Sequence, residues 1–124
     1  MKVVVSSSGA DKTSMLDPRF GRCPYFIFVD TETDTVDAVV NEAGSSGHGA
    51  GIQAAQSVIE AGAEVVISRR IGPNAFRVMA AAGLAIYESD AASVEEAVVA
   101  LKTGKLTAVN APTGPSHAGM GRRF

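Results

Sequence analysis

The sequence predicts a three-layer α/β/α domain built on a mixed five-stranded sheet whose second strand runs antiparallel to the others. Three observations lead there. Short valine-rich or β-branched runs open the chain and recur along it, as strands covered by other layers require. Segments of helical period follow from residue 52 onward, closed by Gly62, Gly83 and Gly104. The resulting order, β-β-β-α-β-α-β-α, makes the first three strands a meander and the last two parallel neighbours reached by right-handed crossovers.

Residues 2–6, Lys-Val-Val-Val-Ser, lack polar alternation and read as a strand buried on both faces. Residues 7–22 are rich in Ser, Gly, Asp and Pro and read as a loop. Residues 25–30 are aromatic and β-branched, residues 31–34 form a turn, and residues 35–41 complete a hairpin. Four glycines occupy residues 44–51 around His48. Ile52, Ala55, Val58 and Ile59 then share one helical face. A buried strand over 64–68 precedes Pro73, which suits a first helical turn. Phe76, Met79 and Ala82 continue that helix, and residues 84–87 give the fifth strand. Ser93-Val94-Glu95-Glu96 is a capping box, and Val94, Ala97, Val98 and Leu101 form the inner face of the helix it opens. The expected division is one α/β domain over 1–105 and a glycine-rich flexible tail over 106–124, with a short edge strand at its start.

The chain has 124 residues, 46% of them hydrophobic, which is enough for one domain with a true core. Lys and Arg total 11 against 13 Asp and Glu, a formal net charge of −2, so no nucleic-acid footprint is expected. No apolar run approaches the ~18 residues of a membrane span, and Met1-Lys2-Val3-Val4-Val5 is too short for a signal h-region. A lone cysteine excludes an internal disulfide and favours a reducing compartment, so a cytoplasmic protein is expected, as a monomer or weak homodimer.

Chemistry concentrates in Asp17-Pro18-Arg19-Phe20-Gly21-Arg22-Cys23-Pro24, where two prolines stiffen a loop bearing two guanidinium groups and the only thiol. In an open α/β sheet, ligands sit beyond the carboxyl ends of the parallel strands. There this loop should meet the glycine loop with His48 and the turn Ser68-Arg69-Arg70-Ile71-Gly72-Pro73. Two of the three lead into helix N-termini, which favour anions. Each residue also has a plainer reading. Cys23 alone is as often a small buried hydrophobe, His48 a surface histidine, the glycines mere turn formers, and Arg22 a partner of Asp17 or Glu42. No Cys-x-x-Cys and no His/Asp cluster at metal spacing is present, so a structural zinc site is not expected. A self-contained iron–sulfur centre normally takes four thiolates, and this chain has one.

Three motifs, Phe20-Gly21-Arg22-Cys23-Pro24-Tyr25-Phe26, Gly49-Ala50-Gly51 and Ile71-Gly72-Pro73-Asn74-Ala75, give the chain a specific likeness. With the closing His117-Ala118-Gly119-Met120-Gly121-Arg122, it resembles the dinitrogenase iron–molybdenum cofactor biosynthesis proteins over about residues 1–106. Arg69-Arg70 departs from the small residues often found before Ile-Gly-Pro in that family. The resemblance implies a ribonuclease-H-like fold and a non-enzymatic role: binding or carriage of a preformed iron–sulfur or iron–molybdenum cluster, held transiently and passed between donor and acceptor proteins. Cys23 and His48 are then candidate metal ligands, with His117 and Met120 as more distant ones. Arg19 and Arg22 would supply charge, and Gly49, Gly51 and Gly72 backbone N–H groups. On this reading Cys23→Ala weakens metal retention. Two other readings compete. A small-anion or nucleotide-binding module would use the same helix N-termini, although no phosphate-loop lysine motif is present. A metal-dependent nuclease or phosphotransferase needs clustered carboxylates that the first strand lacks.

Overall fold

The computed structural model of the chain describes residues 1–45 and 49–111. Five strands, β1 (Lys2–Ser7), β2 (Tyr25–Asp30), β3 (Val36–Val40), β4 (Val65–Ser68) and β5 (Ala85–Glu88), form one sheet in the order β3-β2-β1-β4-β5. β2 is antiparallel to both neighbours, with Val4 opposite Phe28 and Ala38 opposite Ile27. β1, β4 and β5 run parallel, with Val4 beside Val66 and Val66 beside Ile86. The mixed sheet and its single reversed strand are as the sequence predicts.

Side chains alternate across the sheet and build two cores. Val4, Phe26, Val66 and Ile86 face α1 (Ala50–Glu60) and α2 (Pro73–Ala81), where Val58 and Met79 are fully buried. Val3, Val5, Ile27 and Ile67 face α3 (Val94–Lys102), which contributes Val94, Ala97 and Val98. β1 is covered on both faces, which is why its valine run lacks alternation.

All three helices stop the same way. Gly62, Gly83 and Gly104 take φ of +87°, +86° and +72°. The glycine N–H and the next N–H fold back on the last turn, as in Gly62 to Ile59 and Ala63 to Val58. This closure needs a left-handed residue, and glycine adopts it without steric cost.

The helix starts differ. In α3, Ser93 accepts a hydrogen bond from the Glu96 N–H at 3.2 Å. The Val94 and Glu95 N–H groups donate to the carbonyls of Ser14 and Lys12, in the loop after β1. Acidic Glu95 and Glu96 occupy its first turn. The α3 N-terminus is therefore consumed within the fold. Ser93→Ala is expected to lower stability by about 1 kcal/mol, measurable by urea unfolding, with no effect on the cavity described below.

Residues 106–110 do not form a regular strand. They lie beside β5 through a single antiparallel bridge, Tyr87 to Ala108, and the Val109 N–H donates to Ile86 O at 2.7 Å.

Candidate functional site

The strand order brings three loops together beyond the carboxyl ends of β1 and β4, where the sheet changes direction. Between them lies a cavity of about 370 Å³. Its walls include Arg19, Arg22, Gly49, Gly51 and Gly72, all expected there from the sequence, together with Arg70.

Two helix N-termini open onto this cavity through the first-turn residues Ala50, Gly51, Asn74 and Ala75. In neither helix does the N-cap residue supply a side-chain cap, and neither first turn is acidic. Gly49 is the N-cap of α1, in the left-handed region at φ +69°, and Gly72 is the N-cap of α2, with Pro73 directly after it. First-turn N–H groups have no intrahelical acceptor, and the helix dipole adds partial positive charge. The chain caps α3 with a serine side chain but places glycine at the N-cap of both helices that face the cavity.

The arginine wall is tied down from behind. Asp17 is buried, and its carboxylate accepts the Arg19 N–H at 2.9 Å and lies 3.7 Å from Arg19 Nε. Arg22 donates through a guanidinium N–H to Gly44 O at 3.3 Å. Phe20–Arg22 forms a single 3-10 turn that seats on α1 with no room to spare. A Cβ on Gly21 would fall 2.8 Å from both Cα and N of Gly51. Asn41, just past β3, holds the turn from the other side: its Nδ2 donates to Gly21 O at 3.1 Å and Cys23 O at 2.9 Å. The sequence offers no mark of Asn41's role, and Asp17, expected as one possible partner of Arg22, holds Arg19.

Cys23 does not reach the cavity. It is fully buried beside Phe20 and Phe26, and its thiol donates to Phe20 O at 3.2 Å. Burial, reinforced by the nearby Asp17 charge, pushes the thiol up to about 12, and the side chain is absent from the cavity wall. The expectation of a Cys23 metal ligand is therefore corrected: the side chain is a core element. His48, His117 and Met120 lie outside the described residues. Among the described residues, no group of three or more His, Cys, Asp or Glu side chains could hold a metal ion.

Arg69 and Arg70 part company. Arg70 lines the cavity, while Arg69 enters a separate cavity of about 450 Å³ beside Glu88, Asp90 and Lys105, where charge of both signs is present. A further cavity of about 310 Å³ lies under α3, and its cations are matched: Lys102 meets Asp34 at 2.9 Å and Lys12 meets Glu95 at 3.5 Å. Of these three, the arginine cavity alone joins an excess of described cations to glycine-capped helix N-termini. No described helix is long and apolar enough to cross a membrane.

Known proteins share this fold. An uncharacterized protein of Methanocaldococcus jannaschii is 31% identical over 94 residues, spanning 73% of this chain and 80% of the relative. The apo orange protein from Desulfovibrio gigas superposes with a TM-score of 0.88 at 32% identity, over 91% of this chain and 96% of that one. A Thermotoga protein described as a NifB candidate superposes with a TM-score of 0.81 at 36% identity, over 92% and 97%. With the dinitrogenase iron–molybdenum cofactor family model matching residues 1–104, the chain belongs to that family.

Proposed function

We propose that the protein is a non-catalytic carrier that binds a preformed, anionic iron–sulfur or molybdenum–sulfur cluster in the arginine cavity and passes it between partner proteins. The observation that carries this reading is the pairing of two glycine-capped helix N-termini with Arg19, Arg22 and Arg70 around one opening. The family's association with the iron–molybdenum cofactor supports a metal–sulfur guest over other anions. The described walls offer hydrogen-bond donors and positive charge. Direct metal bonds then fall to His48, which immediately precedes the N-cap Gly49, and to His117 and Met120 of the C-terminal segment. Exposed metals of such clusters accept imidazole and thioether donors.

The test uses tetrathiomolybdate, a coloured sulfido-molybdenum dianion, with binding followed by its visible spectrum and by calorimetry. The wild-type chain is expected to bind it more tightly than ATP or inorganic phosphate. Gly72→Asp is the informative variant. Nothing lies within 4 Å of a Cβ at residue 72, and its φ of −72° suits any residue. An aspartate there caps α2 and places a negative charge at the opening. Thermal stability should hold, while affinity falls roughly tenfold or more. Tighter binding of ATP than of tetrathiomolybdate, or unchanged binding by Gly72→Asp, would overturn the carrier reading.

A further inference from the structure

Two fully buried serines lie behind the cavity, Ser6 near the end of β1 and Ser68 at the end of β4. Their hydroxyl oxygens are 2.7 Å apart. Ser6 Oγ is also 3.2 Å from the carbonyl oxygen of Asp17, and Ser68 Oγ is 3.1 Å from the carbonyl oxygen of Arg70. The chain of contacts therefore runs from one cavity loop to the other. Asp17 anchors Arg19 through its carboxylate at one end, and Arg70 itself stands at the other.

The proton count gives this relay its character. Each serine has one hydroxyl proton, so two protons serve three contacts. In one polarity Ser6 donates to Ser68 and Ser68 to Arg70 O, leaving Asp17 O unserved. In the other, Ser68 donates to Ser6 and Ser6 to Asp17 O, leaving Arg70 O unserved. Asp17 is buried and its carbonyl depends on the relay, whereas Arg70 is exposed at the cavity and its carbonyl contact is only part-buried, so the polarity that leaves Asp17 O unserved is the costlier one.

We infer that Ser6 and Ser68 are positioning residues that couple the Arg19 loop to the Arg70 loop, so that a guest gripped by one arginine resets the hold on the other. This rests on the carrier reading for its consequence, but the coupling itself belongs to the ligand-free protein. The relay makes the cavity respond as a unit, fixing the spacing of two cations drawn from loops more than 50 residues apart in the chain.

The experiment has two arms. In the ligand-free protein, nitrogen-15 NMR of the arginine Nε–H groups reports each loop separately. Ser6→Ala is expected to shift the Arg70 signal and Ser68→Ala the Arg19 signal, each across the relay. If each substitution moves only the arginine of its nearer loop, the coupling is overturned, whether or not the protein binds a cluster. In the second arm, tetrathiomolybdate affinity should fall roughly three- to tenfold for either variant, the worth of one hydrogen bond. The double variant should be no weaker than the worse single one. Ser6→Thr and Ser68→Thr retain the hydroxyl and should retain affinity even where the added methyl lowers the melting temperature. Alanine variants that lose stability but bind as tightly as wild type, or single losses that simply add, would show the serines to be packing residues only. Failure of the wild type to bind tetrathiomolybdate would instead count against the carrier reading, with the NMR arm deciding the relay.

Discussion

Gly21→Ala is expected to destabilise the protein by about 1–3 kcal/mol, the range for forcing a methyl group into a close-packed contact. The melting temperature should fall by roughly 4–15 °C, and binding of tetrathiomolybdate should weaken with it. The cause is steric and local. The new Cβ would lie 2.8 Å from Cα and N of Gly51 and 3.1 Å from the carbonyl carbon of Ala50. These are backbone atoms of the first turn of α1, which cannot swing aside as a side chain would. Either the 3-10 turn lifts or α1 shifts. Asn41 resists the first, because it donates to the carbonyls of Gly21 and Cys23, and the packing of α1 against α2 resists the second. Both movements separate Arg19 and Arg22 from the α1 N-terminus, so stability and affinity fall together. Gly72→Asp is expected to part them, lowering affinity alone. A Gly21→Ala protein with wild-type melting and wild-type affinity would mean that the turn is not held against α1 as described.

This contact marks where sequence reading succeeds and where it stops. Element order was legible because period and punctuation agree: Gly62, Gly83 and Gly104 close helices, Pro73 opens one, and β1 has no polar alternation because it has no solvent face. Convergence of Arg19, Arg22, Gly49, Gly51 and Gly72 was legible because strand ends of such a sheet gather their loops at one edge. The direction of individual side chains was not. Arg69 and Arg70 are adjacent in sequence yet line different cavities, in the short turn between the end of β4 at Ser68 and the buried Ile71. Cys23 sits between exposed Arg22 and Pro24, which suggests an accessible thiol. The contrary signal was the spacing Phe20, Cys23, Phe26. Phe20 opens the 3-10 turn, Cys23 follows it in extended backbone and Phe26 lies in β2, and these three are buried together while Arg19 and Arg22 turn outward. Asn41 was beyond reach because a polar residue after an apolar run resembles any loop start until its partners are known.

The buried thiol leads to the second large effect, and it is one of pH. An unfolded chain releases the Cys23 proton near the ordinary value of 9.0, whereas burial, with the Asp17 charge adding to it, keeps the native thiol protonated to about 12. Between these values the native state binds more protons than the unfolded state, so stability falls as pH rises, by up to ~1.4 kcal/mol per pH unit. Below pH 9 the contribution is complete and constant. Wild-type stability should therefore drop by about 2–3 kcal/mol from pH 8 to pH 11 on account of this group alone. Lysines and tyrosines titrate in the same window, so the comparison that isolates the thiol is urea unfolding of wild type against Cys23→Ala at both pH values. At pH 8 the alanine variant should be less stable, having lost buried sulfur contacts, and at pH 11 the gap should narrow by the same 2–3 kcal/mol. A gap that stays constant would place the thiol in contact with water. The burial itself bears on the carrier role: the thiol is fully buried and does not line the arginine cavity, so Cys23→Ala should retain metal as the wild type does, and loss of metal on that substitution alone would return the thiol to the site.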